Sequence, residues 1–192
     1  MRLTRREQRT QRSRRWIMVT VGLLSLFMLS VTLRWFAGVV MRGHKAPFAA
    51  EPTVTDVIDG DTIDVRVGRE VIRVRLLGID TPETKDPRRP VQCFGPEAAS
   101  RTEQLLPPGT IVQLEADRET NDVFGRTLAY VHRNDGLFVN LSLLSEGFAD
   151  VLIISPNVAH SNEFRAAVAA ARSAQKGLWG ACGGPDVASG TG

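Results

Sequence analysis

An α+β fold built on a small, closed, five-stranded β-barrel with about three helices, preceded by one N-terminal transmembrane helix, is what three features of this 192-residue sequence predict. Five short β-branched-rich segments are separated by glycine- and aspartate-containing turn signals. Three helical segments are interposed among them. One long apolar run stands apart, ahead of all of these.

The apolar run comes first. Residues 1–15 are crowded with arginine (Arg2, Arg5, Arg6, Arg9, Arg12, Arg14, Arg15) and lead into an uncharged stretch from Trp16 to Leu33. As a helix, a run of roughly 17 residues spans about 26 Å, a little short of the ~30 Å hydrocarbon core. Arg34 can snorkel at the far boundary, which lets residues 35–41 complete the span. A core helix would be apolar on one face and would not follow a cluster of like charges. Residues 16–41 therefore read as a signal-anchor, with residues 1–15 cytoplasmic and the rest of the chain beyond the membrane. A cleaved signal peptide stays open, since residues 46–50 are rich in small side chains, although no clean A-x-A site closes the run. Ser13-Arg14-Arg15-Trp16 loosely suggests a twin-arginine signal.

Residues 42–52, polar and without periodicity, read as a tether. The folded domain is expected over residues 53–182. Strands are predicted at 53–58, 62–67 and 70–78, joined by Asp59-Gly60-Asp61 and by Gly68-Arg69. In the third, Ile72, Val74 and Leu76 share one face while Arg75 points the other way. The basic, proline-rich Lys85-Asp86-Pro87-Arg88-Arg89-Pro90 loop precedes a helix over 95–106, ended by Pro107-Pro108-Gly109. Strands at 110–116 and 126–132 follow, then a reversal at Asn134-Asp135-Gly136 and a short helix over 140–147. Ser161 is the expected cap of a last helix reaching about residue 175, with Phe164, Val168 and Ala171 on its inner face and Lys176-Gly177 as its stop. The pattern suits a barrel of the oligonucleotide-binding type. Residues 183–192 have nothing with which to build a core and are expected to be disordered.

The formal charge of +3 is misleading. Residues 1–52 hold 10 of the 24 basic residues but only 2 of the 21 acidic ones, so residues 53–192 carry about −5. The basicity is a topology signal, and any affinity for nucleic acid must come from a local site. Cys93 and Cys182 are the only cysteines, and neither has C-x-x-C or histidine-rich neighbours. In a small exported domain they are expected to pair, closing a loop of roughly 90 residues worth about 4 to 5 kcal/mol in the chain-entropy model. Free buried thiols are the alternative.

The residues that carry chemistry sit where strands meet turns: Asp59, Asp61, Arg75, Asp80, Thr81, Glu83 and Arg126. Carboxylate oxygens can hold an alkaline-earth cation, a further carboxylate can orient a water, and two guanidinium forks match a phosphate. Those are the parts of metal-assisted phosphodiester hydrolysis. Asp-Gly-Asp by itself is more often a hairpin turn than a metal site. Four stretches in order, however, Asp59 to Thr62, Arg75 to Thr84, Gly95-Pro96-Glu97-Ala98 and Phe124 to Tyr130, with a closing Gly177-Leu178-Trp179, resemble the staphylococcal nuclease (thermonuclease) family. The resemblance covers about residues 53–180, essentially the whole soluble domain.

It implies a five-stranded barrel with three helices and a calcium-dependent nuclease site acting on DNA and RNA. Asp61 and Asp80 fall at the family's metal-ligand positions, with Thr81 offering its main-chain carbonyl and Asp59 standing behind them. Glu83 matches the carboxylate that orients or deprotonates the attacking water, and Arg75 and Arg126 match the phosphate clamp. Two departures concern the nucleotide pocket. Where the best-known member has tyrosines after the short helix, this chain has Asp150-Val151-Leu152-Ile153-Ile154-Ser155, and a lysine and tyrosine before the glycine-arginine pair are replaced by Val123 and Phe124. These remove donors for a terminal phosphate without touching the metal or the clamp. Salt-bridging of Arg75 and Arg126 with Asp61, Asp80 or Glu83 is the bland alternative for the arginines. The expected protein is a membrane-tethered or secreted nuclease acting outside the cytoplasm, with nucleic acid as substrate, the membrane as its other partner, and no protein partner to be inferred. A non-catalytic nucleic-acid- or protein-binding barrel on a membrane anchor, or an extracytoplasmic interaction domain, is the rival reading; a pure binding module would have no need of metal carboxylates.

Overall fold

The computed structural model describes residues 51–85 and 90–189. The expected cytoplasmic segment, transmembrane helix and tether (1–50) lie outside the described residues. Among those described, no helix is long and apolar enough to cross a membrane.

Among the described residues seven strands and four helices follow in order: β1 (Thr53–Asp59), β2 (Thr62–Val67), β3 (Glu70–Leu76), β4 (Gly78–Asp80), α1 (Gly95–Leu105), β5 (Val112–Glu115), β6 (Thr127–Arg133), α2 (Val139–Glu146), β7 (Asp150–Leu152), α3 (Ser161–Ser173) and α4 (Leu178–Ala181). Five strands form one sheet in the order β1-β2-β3-β6-β5. The predicted turns make β1–β2 and β2–β3 antiparallel hairpins, and Thr62 stands opposite Arg75. The β3–β6 pair is parallel, with Arg75 level with Leu128. The sheet closes through the ends of β1 and β5: Val54 N–H donates to the Thr110 carbonyl (2.9 Å), Val112 N–H to that of Pro52 (2.9 Å), and Thr53 bridges Ile111. Closure removes the unpaired edges of an open sheet.

Inward positions of the strands meet the apolar faces of the helices. Ile63, Val65 and Val74 from the barrel, Leu143 and Leu144 from α2, and Phe164 from α3 are fully buried, and one such side chain contributes roughly 1.5–3 kcal/mol. Asn140 is polar and fully buried yet satisfied: its Nδ2 donates to the Leu77 carbonyl (2.8 Å) and its Oδ1 accepts from Val131 N–H (2.9 Å). It pins α2 to both β6 and the end of β3.

Four features depart from the sequence reading. The third strand does not run to Gly78. It stops at Leu76, and Gly78, at φ 76°, turns the chain into β4, which pairs with β7 in a separate two-stranded sheet. A Cβ on Gly78 would stand 2.6 Å from the Phe164 ring, so both conformation and space demand glycine. Ser161 is not the cap of α3: His160 holds that position, and no side chain caps the helix. A fourth short helix, α4, follows the expected three. Finally, the tail is held as far as Ser189. Cys93 N–H donates to the Val187 carbonyl (2.7 Å), and Ala188 pairs antiparallel with Gln92. The Cys93–Cys182 disulfide is formed, with a Cα–Cα distance of 6.1 Å, and there is no free cysteine among the described residues.

Candidate active site

The β1–β2 turn, the inner end of β3, the end of β4, the segment after it and the residue preceding β6 converge on one cleft of about 380 Å³, whose lining includes Asp59, Asp61, Arg75, Asp80, Glu83 and Arg126.

Asp61 enters from the Asp-Gly-Asp turn and is mostly buried. Its Oδ1 accepts from Thr62 Oγ1 (2.9 Å), and its Oδ2 from both the N–H (3.1 Å) and Oγ1 (3.2 Å) of Thr81. Thr81, expected to offer its carbonyl, thus also orients Asp61 as a donor. Gly60 permits this approach, since a Cβ there would lie 2.7 Å from Thr81 Oγ1. One nitrogen of Arg75, Nη2, lies 3.1 Å from Asp61 Oδ2 and 3.0 Å from Asp80 Oδ1. Its Nη1 donates to the Leu76 and Ile79 carbonyls, both at 2.9 Å. Arg75 therefore does form the ion pairs weighed against it, one nitrogen meeting both carboxylates while the other is held by main-chain carbonyls.

Charge is crowded here. Partial burial pushes the Asp80 carboxyl up; Arg75 opposes, but Asp61, Asp186 and Asp150 add to the rise, and the result is about 6. Burial also raises Asp59, against the hydrogen bonds its Oδ1 accepts from Gly60 N–H (2.8 Å) and Thr84 Oγ1 (2.9 Å), with Asp61 and Glu83 pressing the same way as burial. Asp59 thereby ties the hairpin turn to the residue beside Glu83. Glu83 is half-buried, and its Oε1 accepts from Thr84 N–H (3.0 Å) and Lys85 N–H (2.8 Å).

Arg126 is anchored elsewhere. Its Nε donates to Asp122 Oδ2 (2.7 Å), while Asp122 Oδ1 accepts from the N–H groups of Phe124 (3.0 Å) and Arg126 (2.9 Å). Burial would raise Asp122, but these donors and the guanidinium charge hold it below the usual carboxylate range. Asp122 was not anticipated; a carboxylate four residues before the arginine is the only signal, and it acts across a turn rather than along a helix. The replaced positions Val123 and Phe124 are almost fully exposed and, with Leu152 and Ile154, line a second hollow of about 550 Å³ that shares Arg75 and Arg126 with the cleft.

The donor set fits a hard divalent cation. Asp61 and Asp80 bring oxygens within 3.1 and 3.0 Å of one guanidinium nitrogen, so both can reach a common point. Among the described residues no group of three or more His, Cys, Asp or Glu side chains is arranged to hold a metal ion.

Comparison with known proteins places the chain. Residues 73–181 match the family described as staphylococcal nuclease homologue. The thermonuclease of Staphylococcus intermedius is 42% identical over 126 residues, which are 66% of this chain and 74% of that protein. The SPbeta prophage-derived endonuclease YokF of Bacillus subtilis (strain 168) is 40% identical over 129 residues, 66% of this chain but 43% of that longer protein. Endonuclease YncB of the same organism is 40% identical over 133 residues, 68% of this chain and 62% of that protein. The chain belongs to the staphylococcal nuclease family.

Proposed function

We propose that the protein is a calcium-dependent nuclease that hydrolyses phosphodiester bonds of DNA and RNA outside the cytoplasm. The observation that carries the reading is the convergence of Asp61, Arg75, Asp80, Glu83 and Arg126 on one cleft. The family and the endonuclease and thermonuclease relatives support the reaction class.

A phosphodiester resists hydrolysis because its negative charge repels hydroxide and more charge gathers on the phosphoryl oxygens as water adds. Arg75 and Arg126 reach the cleft from adjacent elements and match those oxygens with planar forks, gripping the transition state more strongly than the ground state. Glu83 is the base: its carboxylate takes a proton from water as the water oxygen bonds to phosphorus, the P–O bond to the leaving sugar oxygen breaks, that oxygen takes up a proton from solvent, and Glu83 returns its own to solvent. Asp61 and Asp80 would hold calcium, which when bound supplies Lewis-acid charge to the phosphoryl oxygens. Thr81 and Arg75 keep the two carboxylates oriented. Val123, Phe124, Leu152 and Ile154 give the hollow beside the cleft an apolar surface on which a base can stack.

The disulfide favours an oxidising compartment, in keeping with an anchor at residues 16–41 and a domain beyond the membrane. Digestion of DNA and of RNA by the purified full-length chain, in calcium and in excess EDTA, tests the reading. Cleavage in calcium and none in EDTA is expected. Binding without cleavage in either condition would favour the non-catalytic barrel.

A further inference from the structure

Glu83 lies in neither a strand nor a helix, so no ladder of hydrogen bonds fixes the main chain that presents it. A base must be held to within about 0.5 Å to be useful. One tether is the Asp59–Thr84 bond. A second comes from the far end of the chain. After α4 the chain is bonded at Cys182 to Cys93 and returns alongside residues 91–93: Cys93 N–H donates to the Val187 carbonyl (2.7 Å), and Ser189 donates to the Val91 carbonyl through its N–H (3.1 Å) and its Oγ (2.8 Å). Gln92, between these contacts, faces both ways. Its Oε1 accepts from Glu83 N–H (2.6 Å), its own N–H donates to the Glu83 carbonyl (2.9 Å), and its Nε2 donates to Asp186 Oδ1 (3.0 Å). The partners fix the orientation of the amide, because a flip would set NH₂ against an N–H and oxygen against a carboxylate.

We propose that Gln92 is a positioning residue for Glu83, and that the disulfide-rooted C-terminal strap, acting through Asp186, holds Gln92 in place. Both main-chain polar groups of Glu83 are then committed to a residue that is itself bonded to the strap beside a covalent cross-link. The base is thus braced from the C-terminus. The proposal rests on the reading of Glu83 as the water-activating group.

The test is steady-state kinetics of the full-length chain at saturating calcium, with Gln92→Ala, Gln92→Glu, and Gln92→Glu combined with Asp186→Asn, Gln92→Ala being made also in the Glu83→Gln background. Gln92→Ala should lower kcat about 10-fold or more with KM little changed, since a misplacement near 1 Å costs up to about 10²-fold. It should add nothing once Glu83→Gln is present, because both act through one group. Gln92→Glu keeps the acceptor for Glu83 N–H but sets a carboxylate against Asp186, and kcat should fall. Asp186→Asn restores a donor opposite that carboxylate and should recover most of the loss. Gln92→Ala leaving kcat intact while Glu83→Gln abolishes it, or the two losses multiplying, would overturn the positioning role. If Glu83→Gln itself keeps kcat, the water-activating reading fails and this proposal fails with it. Should Gln92→Ala not fold, as judged by circular dichroism, the swap decides: no recovery on adding Asp186→Asn would sink the idea.

Discussion

On the proposed reading Glu83 activates water while Asp61 and Asp80 hold the metal, so replacing them should separate chemistry from metal binding. Glu83→Gln keeps the shape but removes the charge that attracts a proton, so kcat should fall about 10²-fold or more even at saturating calcium. Asp61→Asn or Asp80→Asn should weaken calcium binding instead, so that added calcium recovers part of the rate. Kinetics across a calcium series, with isothermal titration of the metal, distinguishes the two patterns. The arginines make a second contrast. Arg126→Lys loses both its fork and the bond to Asp122, and should cost on the order of 3 kcal/mol in kcat/KM. Asp122→Asn leaves Arg126 its charge but loosens its anchor, and should cost less, chiefly in kcat. Equal losses from the two variants would show that Asp122 matters beyond its hold on Arg126. The charged residues around the cleft were legible because they sit at turn boundaries and in a family's order. Asp122, Thr84 and Gln92 were not. Each acts through a neighbour by a side-chain to main-chain or side-chain to side-chain bond that leaves no periodic trace in a sequence.

Strands and turns carried a strong signal where β-branched runs met Gly and Asp, and the first two hairpins form as read. The β4–β7 pair escaped because each strand has only three residues, and because Gly78 breaks what reads as one continuous strand. The cap of α3 was misjudged for a related reason: a serine at the head of a helix attracts the assignment, but the chain is delivered there by His160, packed against Phe138 and Phe164. β6 offers a direct probe of its own environment through Tyr130, the only tyrosine in the sequence. Burial pushes its phenol up, and the hydrogen bond it donates to Asp117 Oδ2 (3.1 Å) and the charge of that carboxylate push further, to about 12 against an ordinary 10. A raised pKa means the native state favours the neutral phenol. Its stabilising contribution is complete below about pH 10 and is lost as pH rises through about 12. Phenolate absorbance should therefore titrate near 12 in the folded protein, and the alkaline fall in stability should be shallower in Tyr130→Phe. A midpoint near 10 in still-folded protein would contradict the buried pairing.

At the scale of the molecule, composition divided the chain more cleanly than any motif. Positive charge is concentrated ahead of an apolar run, and the domain that follows is acidic. The expected topology puts residues 1–15 in the cytoplasm and Thr53 onward outside it. Alkaline phosphatase fused after Pro52 in a bacterial host should be active, and a reporter that works only in the cytoplasm should be silent at the same point; the opposite pattern would reject the orientation. The disulfide was legible from cysteine count and inferred compartment alone, whereas the hold of the strap on Gln92 exists only in the folded chain. The parallel pairing of β3 with β6 has a consequence in time. Asp61, Arg75, Asp80 and Glu83 are all synthesised within one short stretch, but Arg126 arrives some fifty residues later and meets Arg75 only when strands distant in sequence have zipped together. A nascent chain therefore holds most of the residues of the cleft before it can bring them together.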